Sequence, residues 1–285
     1  MAQANWEKEA RIYAANIRIQ TLRQLKGRGF GHAGGALSIA DTLAVLYGKA
    51  MNIRPDEPGW EGRDWFILSK GHAGPALYAA LALKGYFNMD HLDTLNRPGT
   101  ILPSHPDRNR TPGVDISTGS LAQGVSQAMG VALGFKLQGK PNRVYAAAGD
   151  GECNEGQVWE AVLFASQRKL DNLILFVDYN HKQLDGRTED ICDLGDLAGK
   201  FRAFGWNVLE ADGHDVSAIH QAIENAKKAT GCPSAIVLNT VKGKGVKYIE
   251  DMLLNHHINI SPQQADEAMA VLEKNLETLK TEQAG

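Results

Sequence analysis

VYAAAGDGECNEG (residues 144–156) and LILFVDYNHKQLDG (residues 173–186) decide the reading of this chain. Each opens on a short apolar run, Val144–Ala148 and Leu173–Val177, of the length and composition of a strand buried on both faces. The pattern between them predicts a helix over Gly156–Arg168. A strand–helix–strand crossover places the two carboxyl ends side by side, so Asp150 and Asn180, thirty positions apart, are expected to meet there. Outward from this pair the alternation continues. Helices are predicted at Ala122–Gln138, Leu197–Phe204 and Val216–Ala229, and strands at Trp206–Glu210 and Ala235–Thr240. Towards the N-terminus the spacing predicts helices over Ala10–Lys26, Leu37–Met51 and Pro75–Lys84, with a strand at Trp65–Leu68. Asn96–Gly119 reads as a long loop, and Pro262–Lys280 as a closing helix. The expected fold class is α/β: a parallel sheet covered by helices on both faces, with ligands at the carboxyl ends of its strands. Without a repeat or a linker, residues 1–285 read as one domain.

Composition narrows the function. A formal charge of −3 offers no basic surface for nucleic acid or acidic membranes. The first residues, MAQANWEKEARIY, are charged where a signal peptide is apolar, and no apolar run approaches the roughly 20 residues of a spanning helix. The expectation is a cytoplasmic protein. Cys153, Cys192 and Cys232 are odd in number and widely spaced, which fits reduced thiols rather than a zinc site.

At the paired strand ends Asp150 brings a charged oxygen, Asn180 a neutral one, and the following loop can turn a carbonyl inward. Hard oxygens of this kind suit Mg²⁺ or Ca²⁺, whose shells phosphate oxygens complete. Gly149 and Gly151 let the backbone approach a diphosphate, and the helix from Gly156 is expected to add N–H donors. GFGHAG (29–34) matches a dinucleotide fingerprint only superficially, because a helix rather than a strand precedes it. KGKGV (242–246) lacks the remainder of a P-loop.

The stretch GDGECNEGQVWEA…VDYNHKQLDG resembles the thiamine diphosphate signature. With GHAGGALS (31–38), LSKGHAGPALYAAL (68–81), PSHPDRNRTPGVDISTGSLAQG (103–124), ADGHD (211–215) and KGKGV, the chain is similar to transketolases along nearly its whole length. The similarity covers their diphosphate-binding domain and not the pyrimidine-binding or C-terminal domains. It implies thiamine diphosphate and Mg²⁺ (Ca²⁺ or Mn²⁺ as substitutes), with Asp150, Asn180 and the Lys182 carbonyl as metal ligands. It implies further that His72 reaches the diphosphate, that Gly119, Ser120, Leu121 and Leu184 lie against the cofactor, and that Gly149, Gly151 and Glu152 belong to the same binding turn. Glu155 matches a glutamate that communicates with a second active site. The reaction implied is transfer of a two-carbon ketol unit from a ketose or its phosphate to an aldose, by the N-terminal subunit of a two-component enzyme. The partner implied is a separate C-terminal subunit, with a heterotetramer as the expected assembly.

His32, His105 and His256 stand in Gly- or Pro-flanked polar stretches, and imidazole suits the hydroxyls and proton transfers of a sugar. Around position 256 the family reads Trp-His where this chain has Asn255-His256-His257, so either histidine is a candidate to face the substrate. His214 reads as the shaper of a turn. The rivals are an α-type subunit of a 2-oxo acid dehydrogenase and a non-catalytic regulatory subunit of the same fold. The histidines and SKGH favour transketolase over the first, and intact Asp150, Asn180 and His72 argue against the second.

Overall fold

A computed structural model describes residues 2–282. The chain opens with α1 (Ala2–Arg28), turns through a two-residue strand β1 (Phe30–Gly31), and continues as α2 (Gly34–Ser38) and α3 (Ala40–Val45). Strand β2 (Trp65–Leu68) and α4 (Gly74–Leu83) follow, then a loop free of helix and strand over residues 95–122. The second part is α5 (Gln123–Leu137), β3 (Val144–Gly149), α6 (Gly156–Gln167), β4 (Leu173–Tyr179), α7 (Thr188–Cys192) and α8 (Leu197–Ala203). It ends with β5 (Asn207–Asp212), α9 (Val216–Lys228), β6 (Ser234–Asn239), α10 (Lys247–Asp251), β7 (Ile258–Asn259) and α11 (Pro262–Thr281). Among the described residues no helix is long and apolar enough to cross a membrane.

Five strands form one all-parallel sheet in the order β2-β3-β4-β6-β5. Side chains alternate across it, which explains why its strands are apolar throughout. Tyr145, Ala147, Ile174 and Phe176 join a core with α1, α3, α4 and α9, whereas Ala146, Ala148, Leu175 and Val177 pack on the other face against α5, α6 and α8. The fold is thus the two-sided parallel sheet that the apolar runs predict.

Local boundaries differ where packing overrides pattern. The single helix expected at Leu37–Met51 begins at Gly34, breaks at Ile39 and closes in a wide π turn, Leu46–Ala50. Its start is drawn forward because the Gly34 N–H donates to the Asn255 carbonyl at 3.1 Å. Trp206, expected to begin a strand, instead turns its indole N–H into the core, onto the Val162 carbonyl at 2.9 Å. Helix α1 extends beyond both ends of the expected Ala10–Lys26.

Candidate active site

The register Gly149↔Asp178 between β3 and β4 sets Asp150 directly beside the turn that carries Asn180. That turn is tight: His181 adopts φ +62°, and its N–H donates to Asp150 Oδ2 at 2.6 Å. Asp150 Oδ1 accepts from the Gly151 N–H at 2.8 Å. The Asn180 amide donates to Asp178 Oδ2 at 3.0 Å, which leaves Oδ1 pointing back to accept the Lys182 N–H at 3.2 Å. A side chain on Gly151 would put its Cβ 2.7 Å from Cβ of Gln183, so glycine there is demanded by the neighbouring turn whatever the ligand. Burial, then the nearby Asp178, pushes the Asp150 carboxyl up to about 6.

Beneath the pair lies a buried polar network. Lys70 from the SKGH stretch forms an ion pair with Asp178 and donates to the Gly35 carbonyl at 2.8 Å. Ser38 and Thr240 hydroxyls complete Asp178 at 2.6 and 2.5 Å. Burial opposes the charge on Asp178, but the Lys70 ammonium outweighs it and holds the carboxylate below its ordinary range. Removing one partner of such a pair costs about 3–5 kcal/mol, because the other charge is left buried alone. Sequence pattern does not single this pair out as part of the site, although Lys70 follows directly on a buried strand.

Lys70, His72, Leu121, Gly149–Glu152, Asn180, Lys182–Leu184, Lys242 and His256 line one cleft of about 160 Å³. Glu152 sits in it without a free oxygen. One carboxylate oxygen accepts from Ser69 Oγ at 2.5 Å and the Ala122 N–H at 2.7 Å, and the other from the Gly149 N–H at 3.0 Å. Its work is to tie the 120–122 loop to the Gly149–Gly151 turn. Leu121 and the exposed Leu184 lie on the lining together. Ser120 and Glu155 do not line the cleft; both are exposed, Glu155 at the start of α6. The first turn of α6 also stays off the lining, since a 3₁₀ turn at Gly151–Asn154 intervenes, and the helix N–H donors expected there are not in reach. Gly119 stands behind the wall, at φ +146°, where a Cβ would lie 2.9 Å from His105 Cγ.

Five histidines converge at the mouth. The His32 ring centroid lies 5.6 Å from His72, 5.9 Å from His105, 5.3 Å from His256 and 4.8 Å from His257. His256 points inward, 4.4 Å from His72, whereas His257 is exposed against Phe30 at 5.6 Å. Burial, then the neighbouring His257 and His105, drives His32 down to about 4; burial and Lys242 drive His256 down to about 3. His72 and His105 are lowered mainly by burial as well. These rings are neutral near pH 7, and each offers one donor and one acceptor.

Neutrality has a stability consequence. A histidine whose folded pKa lies below its unfolded value contributes stability that is present above pH 6.5 and is lost as pH falls towards the folded value, here about 4 for His32. A shift of that size corresponds to about 3 kcal/mol, and the partial exposure of the ring discounts it to about 1–2 kcal/mol. Urea unfolding at pH 7 and pH 4.5 should therefore show a smaller pH-dependent loss for His32→Asn than for the wild type; identical losses would sink the assignment.

Lys242 and His214 are the other residues that sequence reasoning leaves without a role here. Lys242 is buried in the cleft wall; burial, eased by Asp150, lowers it to about 8. His214 does more than shape a turn: Nδ1 bonds Asp41 at 2.8 Å and Nε2 accepts the Val241 N–H at 2.8 Å, which anchors the segment carrying Lys242. Among the described residues no three His, Cys, Asp or Glu side chains cluster as a metal site.

Residues 9–275 match the family model described as transketolase, thiamine diphosphate binding domain. The chain belongs to the transketolase family. A 6-deoxy-6-sulfo-D-fructose transketolase subunit from Clostridium sp. (strain MSTE9) is 54% identical over 90% of this chain and 94% of its own length. An apulose-4-phosphate transketolase subunit from Phocaeicola vulgatus is 36% identical over 90% of each chain. Among solved structures, a Pichia stipitis transketolase complexed with sedoheptulose 7-phosphate superposes with a TM-score of 0.84 at 27% identity. The Campylobacter jejuni transketolase gives 0.83, also at 27% identity. The chain spans 46% and 48% of those two transketolases, and about 96–97% of it is matched.

Proposed function

We propose that this chain is the N-terminal subunit of a two-component transketolase that moves a two-carbon ketol unit from a ketose, or its phosphate or sulfonate, to an aldose. The observation that carries the reading is one cleft lined by the Asp150–Asn180 turn together with His72 and His256, against which the His32 ring packs at 5.6 and 5.3 Å. Relatives named as transketolase subunits, of nearly the same length, support the two-component form.

Thiamine diphosphate supplies the chemistry that breaks and remakes a C–C bond next to a carbonyl. The residues present fit its metal-bound diphosphate. Asp150, Asn180 and the Lys182 carbonyl offer hard oxygens for Mg²⁺, or for Ca²⁺ or Mn²⁺ in its place. His72 and the Gly149–Gly151 backbone stand on the same wall to meet the diphosphate, with Leu121 and Leu184 as apolar support. His32, His105 and one of His256 or His257 hold the sugar: neutral imidazoles donate to and accept from hydroxyls, and relay protons without placing a fixed charge at the mouth. Glu155, exposed and outside the cleft, retains a proposed role towards a second subunit rather than in the chemistry. The setting is the cytoplasm, and the assembly two copies of each half.

Turnover assays of this chain with a transketolase C-terminal subunit, thiamine diphosphate and Mg²⁺ test the reading. A ketose phosphate or 6-deoxy-6-sulfofructose should serve as donor and a 2-oxo acid should not; the reverse preference would overturn it. His32→Ala and His105→Ala should each lower kcat/KM for sugar about tenfold or more, the scale of a lost hydrogen bond at a transition state. Cofactor affinity should stay within about twofold in both, and an equal loss of cofactor binding would show the rings to be misassigned.

A further inference from the structure

We propose that the ammonium of Lys242 is this chain's own competitor for the divalent cation, because both require the carbonyl oxygen of Lys182. The inference rests on the metal reading given above and extends it to a residue with no assigned role. Lys242 Nζ donates to the Lys182 carbonyl at 2.8 Å, and lies 3.4 Å from both the Gln183 carbonyl and His256 Nδ1. The residue is 3% exposed, so water and salt screen its charge only weakly.

The ammonium is placed by its surroundings. The preceding Val241 N–H donates to His214 Nε2, and His214 in turn is held by Asp41, itself paired with Arg18. The Lys242 carbonyl accepts from the Asn255 amide at 2.9 Å, and the following Gly243 N–H reaches the Gly34 carbonyl at 3.0 Å. With main chain fixed on both sides, the side chain reaches the oxygen from an anchored base. A divalent ion on the same oxygen would stand within a few ångströms of a buried like charge, where repulsion is strong. Metal binding and the Lys242–Lys182 hydrogen bond are therefore alternatives, and the lysine sets a threshold that the cation must exceed.

Lys182 supplies an internal control. Its own ammonium turns away from the cleft, onto the carbonyls of Glu250 at 2.8 Å and Met252 at 3.0 Å. Lys182→Met thus removes the same charge from the liganding residue without freeing the oxygen. Lys242→Met keeps the apolar stem and removes the competitor.

Electron paramagnetic resonance titration of free Mn²⁺ with the full chain, without organic cofactor, reads the difference directly. Lys242→Met should bind Mn²⁺ about tenfold more tightly than the wild type or better, given the buried setting. Lys182→Met should change affinity less than about threefold, since a more exposed ammonium is better screened. Adding Asp150→Ala to Lys242→Met should erase the gain. Circular dichroism confirms folding, and Lys242→Gln provides the same test if the methionine variant unfolds. Mn²⁺ bound through Asp150 but no tighter in Lys242→Met, or a gain as large from Lys182→Met, would overturn the competition while leaving the metal site intact. Binding that ignores Asp150 in every variant would overturn the competition and the metal reading together.

Discussion

Asp150→Ala is expected to cost the assembled enzyme its hold on thiamine diphosphate, by more than about 100-fold in affinity, beyond the range seen when only an outer-shell partner of a metal ligand is lost. The carboxylate is the cleft-lining charged oxygen next to Asn180 and Lys182, since Asp178 beneath is already paired with Lys70, so its removal would take away most of the attraction for a cation holding a diphosphate. It also leaves the partly buried His181 N–H, now donating at 2.6 Å, without an acceptor. Asp150→Asn separates the two effects: it keeps a neutral oxygen for that N–H and loses the charge. Calorimetric titration of both variants with cofactor and Mg²⁺ decides the matter. Wild-type affinity in either would remove Asp150 from the metal site.

The second large effect is dependence on a partner. The chain alone should turn over sugar at least about 10²-fold more slowly than with a C-terminal subunit, the lower end of what a positioned acid or base contributes. Among the described lining residues the carboxylates are Asp150 and Glu152, and both are committed to backbone and side-chain donors. Neither is free to act as an acid or base towards the far end of the cofactor. The rim is also unfinished: Leu184 is 59% exposed, and the consecutive Met252, Leu253 and Leu254 are all exposed. Contiguous exposed apolar residues of this kind are what a partner subunit would cover, and an obligate interface would bury more than about 2,000 Å². Turnover measured before and after addition of a separately expressed C-terminal half should rise steeply. Full rate from the chain by itself would refute the two-component reading.

Much of the architecture is legible in the sequence because buried parallel strands announce themselves as short apolar runs between helices. The Asp150–Asn180 pairing follows for the same reason, since it needs only that β3 and β4 be neighbours, and consecutive strands usually are. The place of Lys242 stays hidden because it depends on β6 pairing with β4 ahead of β5, an order that local pattern does not reveal. His214 reads only as a turn former because its partner Asp41 is far away in sequence, at the start of α3. The early start at Gly34 is equally hidden, for it depends on the hydrogen bond that the Gly34 N–H donates to the carbonyl of Asn255, near the other end of the chain. The two histidines at 256 and 257 separate only once it is seen which ring turns inward.

The Lys70–Asp178 pair also limits how this sequence can drift. Either residue changed alone leaves a full charge sealed beneath the sheet's carboxyl edge, and both are among the most deeply buried side chains in the molecule. A lineage can reach an uncharged replacement only through a double change, or by way of an intermediate that folds poorly. Asp178 also fixes the Asn180 amide, so a neutral pair would pack well and still lose the orientation of that amide. A saturation library over positions 70 and 178 should accordingly return folded sequences in coupled combinations, with those that retain cofactor confined to the corner of the map that keeps an acceptor at 178.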